Sequence, residues 1–133
     1  MRPDPDRLAE IPLFETLSDA QRRRVADWLD VEQVSAGVRL AGEGAPGYSF
    51  FVLAEGEATV TVGGETLASL EPGDFFGEMA ILGDGRRTAT VTTTSPATVL
   101  VLFGTEFRRL EQELPEIGTR IEAAMQQRAG RSS

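Results

Sequence analysis

The residues of this chain best equipped for chemistry are Gly77-Glu78 and, nine positions after Glu78, Arg87. A glycine lets the backbone approach a ligand closely. The strong helix formers that follow, Glu78-Met79-Ala80-Ile81-Leu82, are bracketed by Gly77 and Gly83 and predict about one helical turn. The unpaired N–H groups and dipole of such a turn favour an anion. Arg87 supplies a planar, permanently charged fork for phosphate oxygens. Glu78, beside the same N-terminus, can accept a hydrogen bond from a hydroxyl such as that of a ribose. An anion receptor with a carboxylate next to it points to a ligand that combines phosphate with a sugar hydroxyl. Plainer roles compete: Arg87 as a solvated turn arginine beside Gly83-Asp84-Gly85, and Glu78 as an acid at a helix start, where acids are favoured anyway. Arg86 reads as a surface charge.

The elements that must hold these residues are β-rich. Between Val31 and Phe103 the chain alternates strand-forming runs with glycine and proline turns: 31–34, 38–40, 48–53, 57–62, 65–70, 88–94 and 98–103. Gly63-Gly64 marks the tightest hairpin. Many short strands at near-regular spacing predict an antiparallel sandwich or barrel. Helices flank it. Residues 6–30 read as helical, with a capping box at Ser18-Asp19-Ala20-Gln21 and an apolar stripe at Val25, Trp28 and Leu29. Phe107, Leu110 and Leu114 share one face of a helix over 106–113, and Pro115 ends that helix or starts the next. A last helix over 116–128 carries Ile117, Ile121, Ala124 and Met125, at spacings that suit a lid, pairing of two subunits, or packing on the barrel. Trp28, Phe50, Phe51, Phe75, Phe76 and Phe103 read as core. Strand alternation would set Arg87, Ala89 and Val91 on one face and Thr88 and Thr90 on the other.

Phe76 through Val91 closely resembles the phosphate-binding cassette of the cyclic-nucleotide-binding family, which includes catabolite activator proteins, regulatory subunits of cAMP-dependent protein kinase and cyclic-nucleotide-gated channels. Ile11-Pro12-Leu13-Phe14 to Leu17-Ser18 is similar to that family's N-terminal helical signature. Gly37, Gly44, Gly56 and Gly73-Asp74 fall where it has barrel-turn glycines. The resemblance implies a mainly β fold with flanking helices: an antiparallel β jelly-roll barrel with an N-terminal helix and C-terminal hinge and lid helices. It implies one domain over 1–133, made of an N-terminal helical segment (6–30), the barrel (31–103) with its cassette (76–89), and the C-terminal helices (104–128). Glu78 would bind the ribose 2′-hydroxyl and Arg87 the cyclic phosphate. Gly77, Ala80 and Thr88 would approach through backbone groups, with Met79 and Ala89 completing the ligand-binding set. The implied ligand is cAMP, with cGMP the alternative that the hydroxyl of Thr88 keeps open. A single hydrogen bond biases such a choice by only about tenfold.

Composition narrows the function classes. The chain has 133 residues, 41% hydrophobic and 26% charged, and a net charge of −8. That balance disfavours direct contact with nucleic acid, whose phosphates dominate affinity. No cysteine and no histidine are present. Disulfides, thiolate clusters, cysteine nucleophiles and the histidine cage of a metal-dependent cupin are thereby excluded. The expectation is a non-catalytic sensor with no metal and no cofactor. It would signal through its C-terminal helix to an effector protein or a fused domain, or pair through that helix as a homodimer. The competing reading is a degenerate barrel that only mediates protein contacts. No apolar run approaches membrane-spanning length, and the N-terminus lacks a signal-peptide pattern, so a cytoplasmic protein is expected. All thirteen cationic side chains are arginine, which reads as the mark of a GC-rich, bacterial genome.

Overall fold

The N-terminal quarter is not one helix. Ile11 precedes Pro12, whose ring disfavours helical geometry in the residue before it, and Ile11 is extended at φ −93° and ψ 121°. The computed structural model describes residues 3–41, 49–77 and 89–132, the side chains at 41 and from 124 onward excepted. In it the expected helical segment becomes three pieces: α1 (Pro5–Leu8), a 3-10 turn (Pro12–Phe14) and α2 (Asp19–Ala26). The capping box of α2 forms in both directions. Gln21 N–H donates to Ser18 Oγ at 3.1 Å, and Ser18 N–H donates to Gln21 Oε1 at 2.9 Å.

Among the described residues eight strands follow: β1 (Asp30–Val34), β2 (Arg39–Ala41), β3 (Ser49–Glu55), β4 (Ala58–Val62), β5 (Glu65–Leu70), β6 (Phe75–Phe76), β7 (Thr90–Thr93) and β8 (Ala97–Phe103). They form two antiparallel sheets of four, ordered β1-β8-β3-β6 in sheet 1 and β2-β7-β4-β5 in sheet 2. The chain passes back and forth between the sheets, which face each other rather than closing into one hydrogen-bonded barrel among the described strands. Two helices end the fold, α3 (Gly104–Glu113) and α4 (Pro115–Ser132).

Sheet 1 is the centre of the molecule. Successive side chains on a strand point to opposite faces. Phe50, Val52, Leu100 and Leu102 therefore face the helices, where they meet Phe14, Leu29, Phe107, Leu110, Ile117 and Ile121. Phe51, Leu53, Val99 and Val101 face sheet 2 and pack with Ala58, Leu70, Phe76 and Val91. Full burial of one such side chain contributes about 1.5–3 kcal/mol. Phe50 makes tilted ring contacts to Phe75 and Phe107, with centroids 5.4 and 5.3 Å apart.

The C-terminal helices complete the helical layer. Phe107, Leu110 and Leu114 are buried together as their spacing requires. Leu114 leaves helical geometry at φ −129°, which permits Pro115 to open α4. Ile117 and Ile121 are fully buried in this chain's own core, so at those two positions the apolar face packs on the domain itself. Ala124 and Met125 lie outside the described side chains. Arg120 on α4 donates from Nη1 to the carbonyls of Pro12 and Leu13, at 3.3 and 3.2 Å, and from Nη2 to Thr16 Oγ1 at 3.1 Å. Two expected core residues are not fully buried: Phe75 is half-buried against the helical core, and Phe103 is 52% exposed, at the last position of β8 where the chain turns into α3.

Candidate functional site

The approach to the cassette is built by the turn Glu71-Pro72-Gly73-Asp74. Asp74 accepts the Glu71 N–H with its carboxylate at 2.8 Å and donates its own N–H to the Glu71 carbonyl at 3.0 Å. Gly73 N–H donates to Leu53 O at 2.7 Å and Leu53 N–H donates to Asp74 O at 2.8 Å, tying this turn to the end of β3. The next two residues form β6, with Phe76 opposite Phe51 and Phe75 opposite Val52. The Phe51 and Phe76 rings stack at 4.8 Å with 15° between planes. Immediately after, Gly77 takes φ +99°. A side chain there would be strained, so the departure from sheet 1 requires glycine.

The chain is described again from Ala89, half-buried, and enters β7 of sheet 2 at Thr90. Residues 78–88 thus link the two sheets. Of the seven expected ligand residues, the structure places Gly77 and Ala89 at the two ends of this link. Glu78, Met79, Ala80, Arg87 and Thr88 lie outside the described residues, as does the expected turn of helix at 78–82. Val91, four positions after Arg87, packs between the sheets with Phe51, Phe76 and Val99.

β7 is pinned on its far side by a residue that sequence reading did not single out. Thr93 is 2% exposed, and its Oγ1 accepts from Val38 N–H at 2.8 Å and donates to the Ser35 carbonyl at 2.7 Å. It satisfies the turn between β1 and β2 and fixes that turn against β7. Nothing in Thr90-Val91-Thr92-Thr93-Thr94 marks out this threonine, because only the fold reveals which hydroxyl is enclosed. Among the described residues no three His, Cys, Asp or Glu side chains gather where they could hold a metal ion. Among them, too, no helix is long and apolar enough to cross a membrane.

Two facing sheets in jelly-roll order, a helical layer drawn from both ends of the chain, and a glycine-led link from one sheet to the other define a jelly-roll domain with its candidate site at the crossover. Comparison with known proteins makes the class specific. Residues 31–113 match the family described as the cyclic nucleotide-binding domain. The cAMP-dependent protein kinase regulatory subunit of Colletotrichum orbiculare is 38% identical over 107 residues, covering 79% of this chain and 27% of that protein. The structure of cAMP-bound PfPKA-R superposes over 92% of this chain and 44% of its own, with a TM-score of 0.81 and 27% identity. The catabolite activator protein of Thermus thermophilus superposes over 91% of this chain and 59% of its own, with a TM-score of 0.80 and 26% identity. The chain belongs to the cyclic nucleotide-binding domain family. It spans about a quarter of the length of the curated relatives it matches. The relatives from Colletotrichum orbiculare, Hypocrea atroviridis and Neurospora crassa, 38–39% identical, are fungal, so the bacterial source read from arginine usage gains no support from them.

Proposed function

We propose that this chain is a non-catalytic sensor domain that binds cAMP at the crossover between its sheets. In this reading Arg87 holds the cyclic phosphate and Glu78 the ribose 2′-hydroxyl. Gly77, Met79, Ala80, Thr88 and Ala89 line the ligand. The observation that carries the reading is the framing of the Glu78–Arg87 pair. A glycine at φ +99° stands on one side and the first residues of β7 on the other, within a chain of this family. The choice of cAMP over cGMP is supported by relatives named as cAMP-dependent regulatory subunits. The same proposal sets the domain in the cytoplasm, without metal, cofactor or direct contact to nucleic acid, and passes its signal through α4 to an effector protein or a fused domain.

Calorimetric titration with both nucleotides tests it. cAMP should bind the wild type more tightly than cGMP. Arg87→Ala should weaken cAMP by about 2–5 kcal/mol, the cost of losing a charge-assisted bidentate contact. Wild-type affinity in that variant would remove Arg87 from the site. Absence of binding by either nucleotide would leave the barrel as a protein-interaction module.

A further inference from the structure

The 3-10 turn Pro12–Phe14 meets both α4 and the approach to the cassette. On the cassette side, Gly73 takes φ +99°, and a Cβ built on it would lie 3.0 Å from Pro12 Cδ. Carbon atoms pack best at about 3.5–4.0 Å, so the turn Glu71–Asp74 rests on the proline ring only because it has a glycine there. On the other side, the same proline is held by α4. Arg120 Nη1 donates to the Pro12 carbonyl at 3.3 Å and to the Leu13 carbonyl at 3.2 Å, and Nη2 donates to Thr16 Oγ1 at 3.1 Å. Pro12 thus stands between α4 and the turn that leads into the cassette link, with its carbonyl toward one and its ring against the other.

Both contacts reach beyond Pro12. Gly73 N–H and the Asp74 carbonyl are fastened to Leu53 at 2.7 and 2.8 Å, and Gly77 follows four positions after Gly73. The segment between them holds β6, two residues paired with β3. So short a piece has little slack, and a shift at Gly77 is carried to Gly73. In α4, Ile117 and Ile121 seat the root of the helix in the core, while Arg120 sets that root against the N-terminal turn. Arg120 is itself exposed, so the clasp can be made or released at modest cost.

We propose that Arg120 is a positioning residue for the nucleotide site: by clasping Pro12 it holds the turn Glu71–Asp74, and through it Gly77, in the geometry the ligand needs. The inference rests on the reading of residues 78–88 as the nucleotide site, and it names a route by which α4 is joined to that site. A coupling between two sites acts equally in both directions. Ligand therefore firms the root of α4, and loss of the clasp weakens the ligand.

The test combines calorimetric titration with cAMP and cGMP and nuclear magnetic resonance of the whole chain. Arg120→Met keeps an apolar stem and removes the fork. Without ligand, this variant should shift the amide resonances of Gly73, Asp74 and Gly77, across Pro12 from the substitution. Its affinity for cAMP should fall about two- to tenfold. In the wild type, saturating cAMP should slow amide hydrogen exchange over residues 13–16, and Arg120→Met should lose that slowing. Arg24→Gln breaks the 3.4 Å pair of Arg24 with Glu113, elsewhere in the helical layer, and should leave nucleotide affinity unchanged. Equal losses in the two variants would mean a general loosening of the helices and overturn the proposal. Unshifted resonances at Gly73, Asp74 and Gly77, or wild-type affinity in Arg120→Met, would overturn it as well. A wild type that binds neither nucleotide would instead overturn the proposed function and this inference together, so the two failures are read separately.

Discussion

Among the described residues, sheet 1 is covered on both faces and sheet 2 on one, and their strands differ accordingly. In β3 the run Phe50–Leu53, and in β8 the run Val99–Leu102, are buried at every position. In β5, at the edge of sheet 2, residues 65–69 are exposed and only Leu70 is buried. Unbroken apolar character thus records two packing partners, and a polar strand records one or none. The difference bears on the proposed site, because residues 78–88 connect the doubly covered sheet to the other one.

Substitutions can break or sharpen this contrast. The largest effect is expected at Phe50, 1% exposed and in ring contact on two sides. Phe50→Ala should cost about 3–5 kcal/mol of stability in denaturant unfolding, since it leaves a cavity in the helical core. A loss below about 1 kcal/mol would show that sheet 1 is not the central support. Next is Thr93→Val, which keeps the shape and strips two hydrogen bonds from an enclosed turn. It should cost about 1–3 kcal/mol by leaving the Val38 N–H and Ser35 carbonyl without this partner. A neutral result would mean that water reaches the turn. The smallest effect belongs to Leu67, 63% exposed on β5. Leu67→Ser should stay within about 0.5 kcal/mol of wild type, and a larger loss would reveal that this edge is covered in solution.

Much of this architecture was legible because it depends on local chemistry. Residues 65–70 read as a strand and form β5 over that span, and Gly63-Gly64 closes the hairpin onto β4. The Ser18–Gln21 capping box was visible from two residue types at one spacing. Less legible were features that depend on distant partners. β6 has two residues, too few to show alternation, and exists because β3 supplies Phe51 and Val52 as partners. The bulge at Ala54 follows from register with β8 and leaves no mark in Leu53-Ala54-Glu55 alone. Pro12 did carry a signal, since proline restrains the residue before it, but the apolar spacing around it outweighed that signal in a helical reading. At the candidate site Gly77 was read as a glycine for close approach to a ligand, and its φ of +99° adds a backbone requirement that the residue type alone did not reveal.

The clasp between Arg120 and the Pro12–Leu13 turn has a consequence for how the protein is made. Its two sides are separated by 108 residues, and Asp30 of β1 likewise pairs with Val101 of β8. During synthesis the Pro12–Leu13 turn and β1 cannot find these partners until α4 and β8 have been translated. Such long-range closure slows folding and prolongs the exposure of apolar surface. A nascent chain halted before β8 would hold β1 and β3 with the strand that lies between them still missing. Assembly of sheet 1 therefore waits for β8, and the clasp on the Pro12–Leu13 turn waits longer still, for α4.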